Sequence, residues 1–319
     1  LMKFARAYTG RPYIVTFTGA CHGASYGALS ESTISLNLVR KVGPLVPGII
    51  HIPFPSPWYR LKDESQHNFL ERMWQNFQIP FETYLPPDET AAILIEPIQG
   101  DGGIVKVPDQ LMRRLYHFAK AHGILFCTDE INQGMGRSGK WWSIQHFTGM
   151  EPDLMTVGKS LASGLPLSAV VGRAKILDSL ASPANAFTTA GNPVTAAAAN
   201  ATLDVFRQEH LVNRSARLGK LAKDFFDREA EKYDFIGGVR MYGLNGGIDI
   251  IDPQTGQGDA KTTDRLIHRI FKLGVIMISL RGSTLRFQPP LVISKEQLRQ
   301  AFDIIDQAFR ELAEELTNH

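Results

Sequence analysis

Cysteine is scarce: 319 residues hold two, Cys21 and Cys127. Two thiols cannot staple a chain this long, so a disulfide scaffold is excluded and a reducing compartment, the cytoplasm, is expected. An excess charge of either sign is also missing, since 34 Lys and Arg face 32 Asp and Glu for a net charge of +2. That balance leaves no electrostatic footprint for nucleic acid or a membrane surface as a partner. No apolar run approaches the roughly 18 residues a membrane-spanning helix needs, and the opening LMKFARAYTG lacks the apolar core of a signal peptide. The 28 glycines and 18 prolines follow no period, which excludes a fibrous chain. What is present is 44% hydrophobic residues, enough to bury a core and too many for a disordered chain. The length suits one large or two unequal domains.

LMKFARAYTG reads as the end of an amphipathic helix, with Gly10 as its C-cap and Pro12 just beyond. Residues before Leu1 are therefore expected in the native protein. The β-rich run 13–18 follows, closed by Gly19 and the turn-prone CHGASYG. The proline-rich stretch 36–61 has no clear period and reads as a long loop, and the polar stretch 62–77 reads as a helix. Ala91–Ile95 then opens an alternation of buried strands and helices. Asp109 is placed to cap a helix with Leu111, Leu115, Phe118 and Ala119 on one face, ending at Gly123. Ile124–Cys127, Leu154–Val157 and Leu167–Gly172 are the next strands. Alternation of this kind implies an α/β fold with a mostly parallel sheet and helices on both faces.

After about residue 192 the pattern changes. Residues 195–232 read as helix, broken near Glu209–His210, and short strands are expected at 237–243, 246–251, 275–280 and 284–288, with a helix at 259–273. Ser294 and Gln297 have the spacing of a capping box for a final helix that carries Leu298, Phe302, Ile305 and Phe309 inward. The division expected is a large domain over 1–205 and a smaller C-terminal α+β domain over 206–319.

Three neighbouring strands end in ionisable groups: Glu96-Pro97 with Asp101 beyond, Asp129-Glu130, and Lys159. Ligands of open α/β sheets bind beyond the carboxyl ends of the strands, so these groups are placed to converge. Singly, each has an ordinary structural explanation, as a helix-capping acid or a solvated lysine. Together with a glycine-rich loop they suit pyridoxal phosphate (PLP). That cofactor needs a partly deprotonated lysine for its aldehyde and a carboxylate to keep its pyridine nitrogen protonated. GMGRSG (134–139) matches the GxGxxG of dinucleotide sites, but DEINQ intervenes after the strand, which argues against an NAD site. His117 and His122 lack the spacing and the glutamate of a metal motif and are placed on a helix surface.

The blocks EPIQGDGG (96–103), DEINQGMGRSG (129–139), EPDLMTVGKSLASGLPLSAVVG (151–172), TTAGNP (188–193) and LRFQPPLVI (285–293), in that order, resemble the class III, or omega, aminotransferases of PLP fold type I. The resemblance runs from about residue 3 to the end of the chain, and the family's N-terminal region, with its phosphate-binding turn, is what is expected to be missing. It implies that Lys159 is the Schiff-base lysine and Asp129 the partner of the pyridine nitrogen. Ile131 would lie against one face of the ring, and Asn132 would stand where a longer glutamine often meets the ring hydroxyl. Thr188 would reach the phosphate from a neighbouring subunit, which implies a homodimer or a tetramer built from one. Arg286 would grip the carboxylate of an amino acid substrate with its planar fork. Cys21, beside His22 in the cofactor-binding loop, stands where the family usually stacks an aromatic residue on the ring; cysteine supplies less contact area.

Within the family, QGDGG, KWWSIQHF (140–147), PANAFTTAGNP (183–193), GLNGGIDI (243–250) and LRFQPPLVI are most similar to the branch of isoleucine 2-epimerases and nonpolar amino acid racemases. Many aminotransferases of the family carry glutamate at position 101, where it pairs with the arginine matched by Arg286. Aspartate is one methylene shorter and is expected to fall short of that pair. Freed, it becomes a second acid/base, opposite Lys159. A PLP-dependent racemase or epimerase of nonpolar amino acids is therefore expected. A 4-aminobutyrate or omega-type aminotransferase, in which Asp101 is mere drift, is the alternative, and a silent assembly protein that keeps the fold is a third reading.

Overall fold

The computed structural model describes residues 1–317 and divides into two units. The first comprises Leu1–Gly100, Lys106–Gly134 and Trp142–Asp204. The second takes Asp101–Val105, Met135–Trp141 and the chain from Val205 onward.

The first unit opens with α1 (Met2–Thr9), which ends on Gly10 at φ 68°, its N–H bonded to the Arg6 carbonyl as the sequence predicts. A six-stranded sheet then forms from β1 (Tyr13–Phe17), β2 (Ile49–Ile52), β3 (Thr90–Ile95), β6 (Leu125–Asp129), β7 (Leu154–Val157) and β8 (Ala169–Gly172). Their order is β2-β1-β3-β6-β7-β8, and every neighbouring pair is parallel except β7–β8. Each residue of β3 and β6 is buried, as continuous apolar runs such as AAILI require when both sheet faces are covered. Ile14, Ala92, Leu94, Leu125, Cys127 and Leu154 share one core with Ala5 of α1 and Ile176 of α6 (Ala174–Leu177). This unit also holds α2 (Tyr26–Glu31), α3 (Leu36–Val39), α4 (Gln66–Thr83), β4 (Ile98–Gln99), β5 (Val105–Lys106, its first residue in the second unit) and α5 (Asp109–Ala121).

Three local expectations need correction. The stretch 36–61 is not all loop: Ile49–Ile52 forms β2, an edge strand paired with Ile14–Phe17 of β1. Its prolines flank IIHI without entering it, and the parallel partner is non-local. The helix expected at 62–77 runs instead from Gln66 to Thr83 and passes through Pro80. A proline so near the end removes one helical hydrogen bond, and the aromatic cluster of Trp74, Phe77, Phe81 and Phe118 holds the last turn in place. Asp109 is not a cap: it is the first residue of α5, after Pro108, and its carboxylate pairs with Lys106 at 2.6 Å.

α7 (Pro193–Gln208) crosses the division between the units, and His210 at φ 50° breaks it from α8 (Leu211–Lys232), where the sequence predicts a break. The second unit holds the antiparallel sheet β11-β12-β10-β9, formed from β9 (Ile236–Met241), β10 (Gly246–Ile250), β11 (Ile278–Leu280) and β12 (Thr284–Phe287). It packs with α8, α9 (Ala260–Lys272) and α10 (Lys295–Thr317). Phe225 and Phe302 stack at 4.3 Å between ring centroids, with Phe226 and Phe287 edge-to-face beside them. The capping box is realised in full: Gln297 N–H donates to Ser294 Oγ at 3.0 Å and Ser294 N–H to Gln297 Oε1 at 2.9 Å.

Candidate active site

Because β1, β3, β6 and β7 are adjacent and parallel, the segments that leave their carboxyl ends open on one edge of the sheet. Those segments carry Cys21 and His22, Glu96, Asp129, and Lys159. His22 Nδ1 lies 2.7 Å from Asp129 Oδ2, and both side chains are buried. The other Asp129 oxygen accepts the Ile131 N–H at 3.0 Å. Burial alone would neutralise both groups, but their mutual hydrogen bond and opposite charge outweigh it. The His22 pKa is raised and the Asp129 pKa lowered, so the pair is ionic.

Glu96 fastens the neighbouring loops. Its Oε1 accepts the Cys21 N–H at 3.1 Å and its Oε2 the Gly100 N–H at 2.7 Å. Burial pushes its pKa up to about 7, against the pull of His22. A Cβ on Gly100 would stand 2.5 Å from Asn132 Nδ2, so the missing side chain is what admits that amide. Glu130 is equally buried, but its oxygens accept from Ser143 N–H and Oγ–H and from Ile144 N–H, all within 2.8 Å. Those three bonds make it a tether for residues 143–144.

Lys159 follows β7 after the single residue Gly158, in the left-handed region at φ 45°, and is exposed. Ile131 packs over the preceding residue: a Cβ built on Gly158 would meet its Cγ1 and Cγ2 at 3.5 Å. Thr188 lies in the exposed stretch 181–194, which Lys3 Nζ ties to α1 through the Ala184 carbonyl at 3.0 Å. An exposed amine at one strand end and a buried, ionic carboxylate at the next are the donor set that PLP requires: one for the aldehyde, one for the pyridine nitrogen. The residues of the first unit fit the cofactor.

Asp101 and Arg286 belong to the second unit. Contrary to expectation, the shorter aspartate does reach: Asp101 Oδ1 lies 3.4 Å from Arg286 Nη1. The missing methylene is made up by the backbone. Arg240 grips the Gly103 carbonyl through Nε at 3.1 Å and Nη2 at 2.9 Å, and pairs with both oxygens of Asp249. The Gly103 oxygen thereby comes within 2.8 Å of where a Cβ on Gly247 would stand, and Gly247 is the cross-strand partner of Arg286. Bare glycine on β10 lets the segment bearing Asp101 lie against the strand beside the arginine.

Sequence reasoning missed three residues around Arg286. Gln288 Oε1 accepts from Arg286 Nε at 2.6 Å and also from Nη2. Gln288 Nε2 in turn donates to Asn245 Oδ1. Arg137 donates to the carbonyls of Leu244 at 3.0 Å and Pro289 at 2.6 Å. Burial, aided by the charge of Arg286, lowers the Arg137 pKa to about 10. The available signal was the two-residue spacing of Arg286 and Gln288, which puts both on one face of a strand.

The sequence profile of the family "Aminotransferase class-III" matches residues 1–309. The chain is 52% identical to an isoleucine 2-epimerase of Lentilactobacillus buchneri, over 97% of this chain and 69% of that protein. It is 38% identical to a leucine/methionine racemase of Thermococcus litoralis, over 98% of this chain and 70% of that one. Among solved structures, an ornithine aminotransferase of Toxoplasma gondii with partial PLP occupancy at its active site superposes with a TM-score of 0.84. It is 28% identical, and the match spans 98% of this chain and 70% of that one. With a lysine and a carboxylate at neighbouring ends of a mostly parallel sheet, and a profile match over nearly its whole length, the chain belongs to the class III aminotransferase family of PLP-dependent fold type I enzymes.

Proposed function

We propose that the protein is a racemase or epimerase of nonpolar amino acids, isoleucine among them. The observation that carries this reading is the 52% identity to an isoleucine 2-epimerase across 97% of the chain. When bound, PLP supplies an electron sink that lets the α-proton of an amino acid leave. Lys159 is the residue we assign to the cofactor aldehyde and to proton transfer at one face of Cα. Asp101, whose Oδ1 stands 3.4 Å from Arg286 Nη1, is assigned to the other face on the strength of its place in QGDGG. One group removes the proton and the other returns one, so no oxidant and no second substrate are needed. Asp129, with His22 behind it, is assigned to the pyridine nitrogen, Ile131 and Cys21 to the ring faces and Asn132 to the ring hydroxyl. Arg286 is assigned to the substrate carboxylate.

The working enzyme is placed in the cytoplasm as a homodimer, or a tetramer built from it, with Thr188 serving the partner's cofactor phosphate. Phe187 and Val194, 61% and 66% exposed on either side of Thr188, support a subunit contact there.

The Asp101–Arg286 contact favours a second reading, since aminotransferases of the family pair an acid with this arginine. Incubating the PLP-loaded enzyme with L-isoleucine in deuterated water separates the two. Epimerisation yields D-allo-isoleucine deuterated at Cα without an added keto acid. Accumulating pyridoxamine phosphate, with turnover only when a 2-oxo acid is supplied, would establish the aminotransferase instead.

A further inference from the structure

We propose that Gln288 is the positioning residue for Arg286: an uncharged clamp that holds one edge of the guanidinium and so fixes its orientation toward the substrate carboxylate. The inference rests on the assignment of Arg286 to that carboxylate.

Arg286 and Gln288 stand two residues apart on β12 and its continuation, so their side chains leave the same face. Gln288 Oε1 accepts from Nε at 2.6 Å and from Nη2, the side-on pair of donors that a carboxylate also grips. The amide is itself held, because its Nε2 donates to the fully buried Asn245. Behind it, Arg137 Nη1 bonds the carbonyls of Leu244 and Pro289, which are the chain neighbours of Asn245 and Gln288. One guanidinium thus pins both ends of the clamp that aims the other.

With its Nε–Nη2 edge held by Gln288 and Asp101 standing 3.4 Å from Nη1, the guanidinium is fixed in one orientation. The chemistry of position 288 then matters. An amide oxygen orients Arg286 and leaves its charge intact. A carboxylate there would cancel that charge and repel the substrate, and an apolar side chain would let the guanidinium turn away.

The test uses the PLP-loaded enzyme and the variants Gln288→Met, Gln288→Glu and Arg286→Ala, each first shown to retain the wild-type cofactor absorbance and melting temperature. Both Gln288 variants are expected to raise KM for L-isoleucine roughly tenfold while kcat stays within about threefold. Binding of 2-methylbutylamine, which is isoleucine without its carboxylate, is followed by the spectral shift of the cofactor and is expected to stay within about twofold of wild type. Equal weakening for the amine would mean a general loosening of the site and would overturn the proposal. An unchanged KM in both Gln288 variants, with KM raised in Arg286→Ala, would overturn it while sparing the role of Arg286. An unchanged KM in Arg286→Ala would remove both.

Discussion

His22 and Asp129 form a buried ion pair at 2.7 Å, with only 2% and 5% of their side chains exposed. The Asp129 pKa is depressed, so its share of the stability is present above the ordinary aspartate range and is lost as pH falls through the lowered value. The His22 pKa is raised, so its share is fully present below about 6.5 and is lost as pH rises through the raised value. His22→Gln leaves an uncompensated buried carboxylate and is expected to cost about 3–5 kcal/mol near pH 6. Thermal melts of the two proteins should converge as pH rises past the raised His22 value, and a deficit that ignores pH would count against the pair being ionic.

Lys159→Ala is expected to abolish turnover and the visible absorbance of the lysine–cofactor link, while the fold survives because the side chain is exposed. Borohydride reduction of the wild-type enzyme followed by peptide mapping should tag Lys159. A tag on another lysine would remove this assignment.

Asp101→Asn keeps the shape of the side chain beside Arg286 but removes the carboxylate that we assign as second base. Solvent-deuterium incorporation during epimerisation should fall at least about a hundredfold, the scale of one general acid/base. Half-transamination, which needs Lys159 alone, should fall far less. Equal loss of both would assign Asp101 to structure.

Arg240→Met breaks the bonds that hold the Gly103 carbonyl and leaves Asp249 with Thr284 Oγ1 at 2.7 Å but without its cation. Removing one member of this half-buried pair, 15% and 16% exposed, is expected to destabilise by about 2–3 kcal/mol. Epimerisation should weaken further than stability alone predicts, because Asp101 rides on the same segment. A variant with wild-type melting temperature and activity would show that the segment is held by other means.

Much of the fold was legible from local pattern. The Gly10 cap, the break at His210 and the Ser294–Gln297 box are written in neighbouring residues and form where the periodicity puts them. The continuous apolar runs that became β3 and β6 state their own burial. By contrast, β2 hid among prolines because its hydrogen bonds come from a strand more than thirty residues away, a pairing no local period reports.

The site divides the same way. Residue type and order along the chain single out one amine, a few carboxylates and one arginine as candidates for the chemistry, because each stands at the end of a recognisable strand or motif. Only the tertiary structure decided their partners: His22 with Asp129, Glu96 across two loops, and Asp101 reaching Arg286 despite its short side chain. The physical reason is distance along the chain. Asp101 and Arg286 lie 185 positions apart, and the missing methylene is recovered by a backbone approach over Gly247 that no spacing rule contains.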